Sequence, residues 1–379
     1  MTATTDERPR IAILWQGLAG YSHALFTALT SQGVDLQIHH SALGPNAPFD
    51  ETAVTQGLRT SAWNGEPDAH LIERALDEFD PHAMLVSSWH IGVYRRAARR
   101  RRGRTLRILC MDNQWWARPK QVLGVGVSPV MVRPAYDAAF VPGERSADFA
   151  GKLGFPDERV IRGIYSCDHN RFDAVAEDRG DEAPPQAFVF VGRLVPEKGV
   201  DVLTEAYRRY RGLADDPWPL FVSGVGPDAD RVSEVPGVEM LGFVQPHALP
   251  QLLGRSGCLV LPSRFEPWGV VVHEATAAGL PVVCTSVVGA SSRLVLDGYN
   301  GVVVSPGNVD SLARALLRIS GSSAGERVQM SRASRALGRQ FTPERCASNL
   351  LTRIRELRGL IGLADMPGRS VISPSAGSR

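Results

Sequence analysis

A chain of 379 residues is too long for one compact core and fits two domains of common size. Hydrophobic residues at 44 % and charged residues at 22 % exclude a disordered or fibrous protein. The 42 Lys and Arg against 40 Asp and Glu leave a formal charge of +2, which disfavours a dedicated nucleic-acid binder. The opening MTATTDERPR is polar with no signal-type apolar run behind it, and no stretch of about 18 apolar residues occurs. The expectation is a soluble, cytoplasmic protein without nucleic-acid partners.

Ile11–Trp15 (IAILW) reads as a buried strand closed by Gly17 and Gly20, and Leu25, Phe26 and Leu29 fit a helix from Tyr21 to Gln32. Val34–Ile38 is the next strand. The alternation continues with a helix at Ala69–Phe79, a strand at Ala83–Val86, a helix at His90–Arg102 and a strand at Leu106–Cys110. Ala138–Val141 is a strand and Glu144–Leu153 a helix. The acidic, Pro-containing stretch 173–186 (DAVAEDRGDEAPPQ) reads as a linker. The rhythm then restarts with strands at Ala187–Val191, Leu220–Ser223, Cys258–Leu261, Pro281–Cys284 and Gly301–Val304. Helices are expected at Val200–Arg211, Ala248–Leu253, Val270–Ala278, Val309–Leu337 and Pro343–Ile361.

Strands alternating with helices mark a parallel sheet covered on both faces. The fold class is therefore α/β, with two Rossmann-like doubly wound domains facing a cleft. The expected boundaries are 1–172 for the first domain, 173–186 for the linker and 187–341 for the second domain. A helix over 342–363 is expected to pack back toward the first domain, ahead of a flexible tail at 364–379. Ligands of such sheets sit beyond the carboxyl ends of the strands, so the interdomain cleft is the expected site.

Cys110, Cys167, Cys258, Cys284 and Cys346 are scattered without a CxxC pair and read as buried free thiols in a reducing compartment. The histidines form no HExxH or His/Cys cluster, so no metal site is expected.

Three constellations carry chemistry. In VGRLVPEKG (191–199) Arg193 and Lys198 flank a loop held by Gly192, Pro196 and Gly199, where a strand enters a helix. A planar fork and a point charge at a strand's carboxyl end suit a diphosphate, although a solvated turn would carry the same residues. In PSRFEPWGVVVHEA (262–275) Gly269 and Val270 open a helix whose amides can receive phosphate oxygens. Glu274 sits on an apolar stretch and needs partners, either the two hydroxyls of a ribose or a buried arginine. Glu266, on the loop, can accept from sugar hydroxyls; His273 reads as a packing residue. The third, WQGLAG (15–20), allows close backbone approach at Gly17 and Gly20, but it is GxxG and lacks the acidic residue of a dinucleotide site.

Together these segments resemble family 4 glycosyltransferases of the GT-B fold. VGRLVPEKGVDVL resembles that family's phosphate-binding loop, and PSRFEPWGVVVHEATAAGLPVV its E-x7-E signature region. FVSGVGPD, VEMLGFVQPHALPQLL (with Phe243 and Val244 near the nucleotide base) and DGYNGVVVSPGNVDSLARAL follow in the family's order. The resemblance implies retaining transfer of a sugar from a nucleoside-diphosphate donor to a sugar, lipid-linked or small-molecule acceptor, with no cofactor. It implies that Arg193 and Lys198 neutralise the diphosphate, Gly269 and Val270 offer amides, Glu274 holds the ribose and Glu266 the sugar.

Departures are also visible. Pro267-Trp268 makes a bulkier lip near the sugar. The histidine that many relatives carry after the fifth strand is replaced by Met111-Asp-Asn-Gln-Trp-Trp116, which leaves Asp112 or His90 as the cleft group. The stretch Arg95–Arg107 holds eight arginines in thirteen positions. It suits peripheral contact with anionic lipid at the inner membrane surface, or is simply a solvated helix end. The alternatives to a transferase are an idle sugar-nucleotide binder or scaffold, and an isomerase or hydrolase of nucleotide sugars.

Overall fold

The computed structural model describes residues 8–42 and 51–367. The described residues form two compact units. The first holds the chain up to Val141, Ser146–Ile164 and the chain from Pro343 onward; the second holds Pro142–Arg145 and Tyr165–Thr342.

Seven strands build the first sheet: β1 (Arg10–Trp15), β2 (Asp35–Ser41), β3 (Thr60–Trp63), β4 (Ala83–Ser87), β5 (Leu106–Cys110), β6 (Ala138–Val141) and β7 (Val160–Arg162). They lie in the order β3-β2-β1-β4-β5-β6-β7, every pair parallel. The second sheet contains β8 (Phe188–Val191), β9 (Leu220–Ser223), β10 (Val238–Gly242), β11 (Cys258–Leu261), β12 (Val282–Thr285) and β13 (Gly301–Val304). Its order is β10-β9-β8-β11-β12-β13, again parallel throughout. Central strands such as β5, β11 and β12 are buried at every residue, because helices cover both faces; that is why they read as unbroken apolar runs. In each sheet the order reverses once, between β1 and β4 and between β8 and β11. Loops leaving such a strand pair part to opposite faces and open a crevice at the carboxyl edge.

The expected linker at 173–186 is corrected. Its first half lies in the helix His169–Arg179, which buries Phe172 and Ala176. The acidic residues dock rather than repel: Arg335 donates to Asp173 Oδ1 at 2.5 Å and Oδ2 at 2.8 Å, and to Glu177 at 2.7 Å. Arg339 adds a 3.2 Å contact to Asp173.

The helix Pro343–Leu360 belongs to the first unit and buries Cys346, Leu350, Ile354 and Leu357. Gln32, at the end of the helix Gly20–Ser31, donates to Glu344 O at 2.9 Å. The expected flexible tail is corrected at its start, since Arg358 holds Ala364 O and Met366 is buried; residues 368–379 lie outside the described residues.

The arginine stretch is also less free than its sequence suggests. Arg101 is buried and bonds Glu73 (2.7 Å) and Asp77 (2.5 Å), and buried Arg107 grips Asp137 at 2.6 and 2.9 Å. Arg95 donates to Trp89 O, Arg99 to Val130 O and Met131 O, and Arg100 lies 3.3 Å from Glu73. Five of the eight therefore fasten the helix Gly92–Arg100 and the segment after it to their surroundings. Among the described residues no helix is long and apolar enough to cross a membrane.

Arg335, above all, holds the Asp173 carboxyl down to about 2. A depressed acid stabilises the fold above its unfolded pKa of about 4 and loses that contribution as pH falls toward 2. Asp173→Asn should therefore cost the second unit about 2 kcal/mol at pH 7 and almost nothing near pH 2. Urea unfolding at both pH values checks this; an equal loss at both would refute the ion-pair account.

Candidate functional site

Three loops meet at the carboxyl edge of the second sheet. The loop after β8 runs from Gly192 to Gly199, beside the one after β9 (Gly224–Asp228). Gly192 N donates to Ser223 O (2.9 Å), Leu194 N to Val225 O (2.9 Å) and Asp228 N to Leu194 O (3.2 Å). This lacing needs glycine: a β-carbon on Gly224 would stand 1.9 Å from Gly192 O, and one on Gly226 2.2 Å from Leu194 O. Across the switch point, the loop after β11 joins from the other side. Arg264 N and Phe265 N both donate to Glu197 O, at 2.8 and 3.1 Å, and the Arg264 guanidinium grips Asp201. Gly199 sits at φ +68° with its Cα against Pro262 O, where a β-carbon would be 2.2 Å away.

This framework sets Lys198 against Glu266. Lys198 Nζ bonds Glu266 Oε2, and Ser263 Oγ lies 3.3 Å from the same oxygen. Glu266 is only 7 % exposed, and a carboxylate so placed needs polar partners such as these. Arg193 is exposed, and its side chain has no partner among the described residues. Gly269, at φ +91°, precedes the helix Val270–Ala277 and no side chain caps it. A β-carbon there would press within 3.1–3.2 Å of Val288, Glu266 and Leu261. The amide end of the helix thus stays open one residue from Trp268 and three from Glu266.

Glu274 lies on the second turn of that helix. Burial pushes its carboxyl up to about 7. It has no hydrogen bond or ion pair among the described residues, so the buried-arginine alternative does not hold there. His273 beside it is 2 % exposed and is lowered to about 3, first by burial and then by His169, so it is neutral. Its Nε2 accepts from Trp268 Nε1 at 2.7 Å. Here the expected lip is corrected: Trp268 is turned inward, 4 % exposed, with its ring over Gly143, where a β-carbon would come within 2.7 Å. Its bulk staples the loop to the helix. Phe243 and Val244 follow β10, both half-buried, and Val244 packs into the core. Gly242 O accepts from Gly224 N (2.8 Å), joining that segment to the same lacing.

Gly17, Gly20, His90 and Asp112 belong to the first unit, so the structure does not group them with the residues above by any described contact. Gly17 (φ +71°) lies after β1, and Gln16 N donates to Ser87 Oγ (2.8 Å) at the end of β4, across that sheet's switch point. Gly20 opens the helix Gly20–Ser31. His90 is exposed, its ring tilted 50° against Trp89 with centres 4.9 Å apart, and partial desolvation, followed by Arg95, lowers its pKa. Asp112 is half-buried after β5, its carbonyl accepting from Ser146 Oγ at 2.8 Å. Two features were missed by sequence reasoning. Ser263, wholly buried beside Glu266, carries no spacing signal; Ser88, at φ +64°, is a strained non-glycine position visible only in the backbone.

The sequence profile described as "Glycosyl transferases group 1" matches residues 175–337. Glycogen synthase of Mycobacterium tuberculosis is 32 % identical over 352 residues, covering 79 % of this chain and 81 % of that protein. Alpha-D-kanosaminyltransferase of Streptomyces kanamyceticus is 29 % identical over 44 % of this chain and 47 % of its own length. An exopolysaccharide phosphotransferase of Streptomyces coelicolor is 31 % identical, the chain spanning 22 % of it. Among solved structures, a glycosyltransferase of Rickettsia africae superposes with a TM-score of 0.72 at 14 % identity, over 92 % of this chain and 98 % of that one. Anabaena HepE, solved with UDP and glucose, gives 0.69 at 17 % identity, over 93 % and 99 %. The two parallel sheets are those of GT-B glycosyltransferases, and the resemblance read from the motifs is borne out at this level. On its match to the mycobacterial synthase along most of both lengths, and on the profile over its second unit, the chain belongs to the group 1 glycosyl transferases.

Proposed function

We propose that the chain is a retaining glycosyltransferase that uses a nucleoside-diphosphate sugar. One observation carries the reading: two cations and the Glu266 carboxylate lie on adjacent loops at one sheet edge, beside an open helix end whose second turn carries the Glu274 carboxyl. Arg193 and Lys198 neutralise the diphosphate, and the amides of Gly269 and Val270 receive its oxygens. Glu274 accepts from the ribose hydroxyls, which supply the partners it lacks, while Glu266 accepts from hydroxyls of the transferred sugar. As the bond between anomeric carbon and phosphate oxygen breaks, its electron pair passes to the diphosphate. The acceptor oxygen bonds to that carbon and its proton goes to the departing phosphate oxygen. Fixed cations and amides lower this barrier because the charge grows where they already point.

The acceptor is a sugar, a lipid-linked glycan or a small molecule, and we assign it to the first unit, where His90 and Asp112 are the candidate groups near the reacting sugar, while the backbone at Gly17 and Gly20 approaches the donor. The reaction needs no resident cofactor, because the nucleotide sugar is a substrate. We place the enzyme in the cytoplasm, where its five buried, unbridged thiols stay reduced. The Anabaena protein solved with UDP-glucose, which shares the fold, supports the choice of donor class.

Incubation with UDP-, GDP- and ADP-sugars, followed by diphosphate release with and without acceptors, tests the activity. Lys198→Ala should lower kcat/KM by about 10²–10³ with the circular dichroism unchanged, the usual loss when one oxyanion donor is removed. Turnover at the parent rate would remove Lys198 from the site.

Glu274 yields a second, independent expectation. Its raised pKa means that the carboxyl is accommodated best below its unfolded pKa, about 4, and costs stability as pH rises through about 7. Glu274→Gln should therefore stabilise the protein by about 2 kcal/mol at pH 8, with no gain at pH 4, while weakening nucleotide binding. Thermal unfolding at the two pH values, with and without nucleoside diphosphate, reads both effects. A variant that is no more stable at pH 8, or that binds nucleotide as the parent does, would contradict the assignment.

A further inference from the structure

The amino edge of the first sheet holds a pocket that the transfer chemistry leaves unused. The segments running into β5, β6 and β7 enclose an open space of about 480 Å³ lined by Arg102, Arg133 and Arg159. None of these three side chains has a hydrogen-bond or ion-pair partner among the described residues. This sets them apart from their neighbours: Arg99, Arg101, Arg107 and Arg162 are all bonded to carbonyls or carboxylates. The acid lining the pocket, Asp137, is already spent. Arg107 donates to its Oδ2 from N (3.0 Å) and Nε (2.9 Å) and to its Oδ1 from Nη2 (2.6 Å).

The walls are preorganised. Gly154, at φ +95°, lets the Arg133 stem lie flat on the backbone; a β-carbon there would come within 2.9 Å of Arg133 Cδ. Ser128 Oγ donates to Leu153 O at 2.5 Å, tying the segment before β6 to the one before β7. Tyr136 and Phe155, 3 % and 4 % exposed, pack behind the arginines. Three guanidinium groups around a concavity, with their local counter-charge neutralised, raise its potential and offer several planar forks to one anion. A carboxylate would occupy a single fork. A phosphoryl group has enough oxygens for all three.

We propose that this pocket, on the amino edge of the first sheet, binds a phosphoryl group, either of a soluble phosphate ester or diphosphate or of an anionic lipid headgroup. The lipid source is worth a separate arm because the adjoining helix Pro119–Met131 exposes Val122 (52 %), Leu123 (67 %) and Val130 (71 %) beside the pocket wall.

The full chain carrying Arg193→Ala and Lys198→Ala, which remove the two cations assigned to the donor diphosphate, serves as parent. Titration with inorganic pyrophosphate should show binding that Arg102→Gln/Arg133→Gln/Arg159→Gln weakens at least 100-fold. The control Arg208→Gln/Arg231→Gln/Arg314→Gln, which removes equal charge from exposed positions on the second unit, should change it less than threefold. Arg133→Gln alone should cost about tenfold, which keeps the test open if the triple variant misfolds. Flotation with phosphatidylglycerol vesicles, against pure phosphatidylcholine, separates the sources. Anionic-vesicle binding lost in the pocket variant assigns a headgroup; pyrophosphate binding lost while vesicle binding is absent or unchanged assigns a soluble ligand. Binding of neither probe by the parent, or equal binding of both by parent and pocket variant, would overturn the proposal.

Discussion

The carbonyl oxygens of Gly192, Leu194 and Pro262 stand where β-carbons on Gly224, Gly226 and Gly199 would have to be. Because those three positions carry no side chain, the loops after β8, β9 and β11 close to hydrogen-bonding distance of one another. The meeting of Lys198 with Glu266 depends on that approach. Lys198 reaches Glu266 across the switch point because Glu197 O is held by the amides of Arg264 and Phe265. A site assembled from separate loops gains its precision from such backbone lacing rather than from any one side chain.

The same edge carries charges whose burial is costly. Glu266 is paired with Lys198, whereas Glu274 has no partner among the described residues and is pushed toward neutrality. Evolution commonly retains such unfavourable groups where a ligand will meet them, so a fold can be locally less stable at its working surface than packing alone would allow. Trp268 and His273 work in the opposite sense. Their buried 2.7 Å hydrogen bond secures the turn that leaves the Gly269 helix end uncapped.

Much of this was legible in the residues. Strands buried on both faces announce themselves as short apolar runs, and those at Leu106–Cys110, Leu220–Ser223 and Gly301–Val304 have the expected bounds. Elements whose residues lack such a pattern were missed. The edge strand Thr60–Trp63 buries no residue fully, and the helix Pro119–Met131 carries an internal Pro129 and two glycines. The helical pattern over Val309–Leu337 divides into two helices, because Gly321 ends the first and Ser323 caps the second through Glu326. The helix at His169–Arg179 looked like an acidic linker because its counter-charges, Arg335 and Arg339, lie some 160 positions away in the chain. Long-range pairing also explains the arginine stretch, where the sequence counts charges but cannot say which ones Glu73, Asp77 and Asp137 consume. At the site, the motifs located Lys198, Glu266 and Glu274, while the inward turn of Trp268 depended on His273 and on the glycine at 143 from a distant segment.

The central claim is that a diphosphate and its ribose are held by the carboxyl edge of the second sheet. Its most direct test is a crystal structure of the chain with a nucleoside diphosphate bound. The account predicts phosphate oxygens within about 3 Å of the Arg193 and Lys198 side chains and the Gly269 or Val270 amide, with ribose hydroxyls on Glu274. A nucleotide found away from this edge, or one seated there with Glu274 still without a partner, would contradict it.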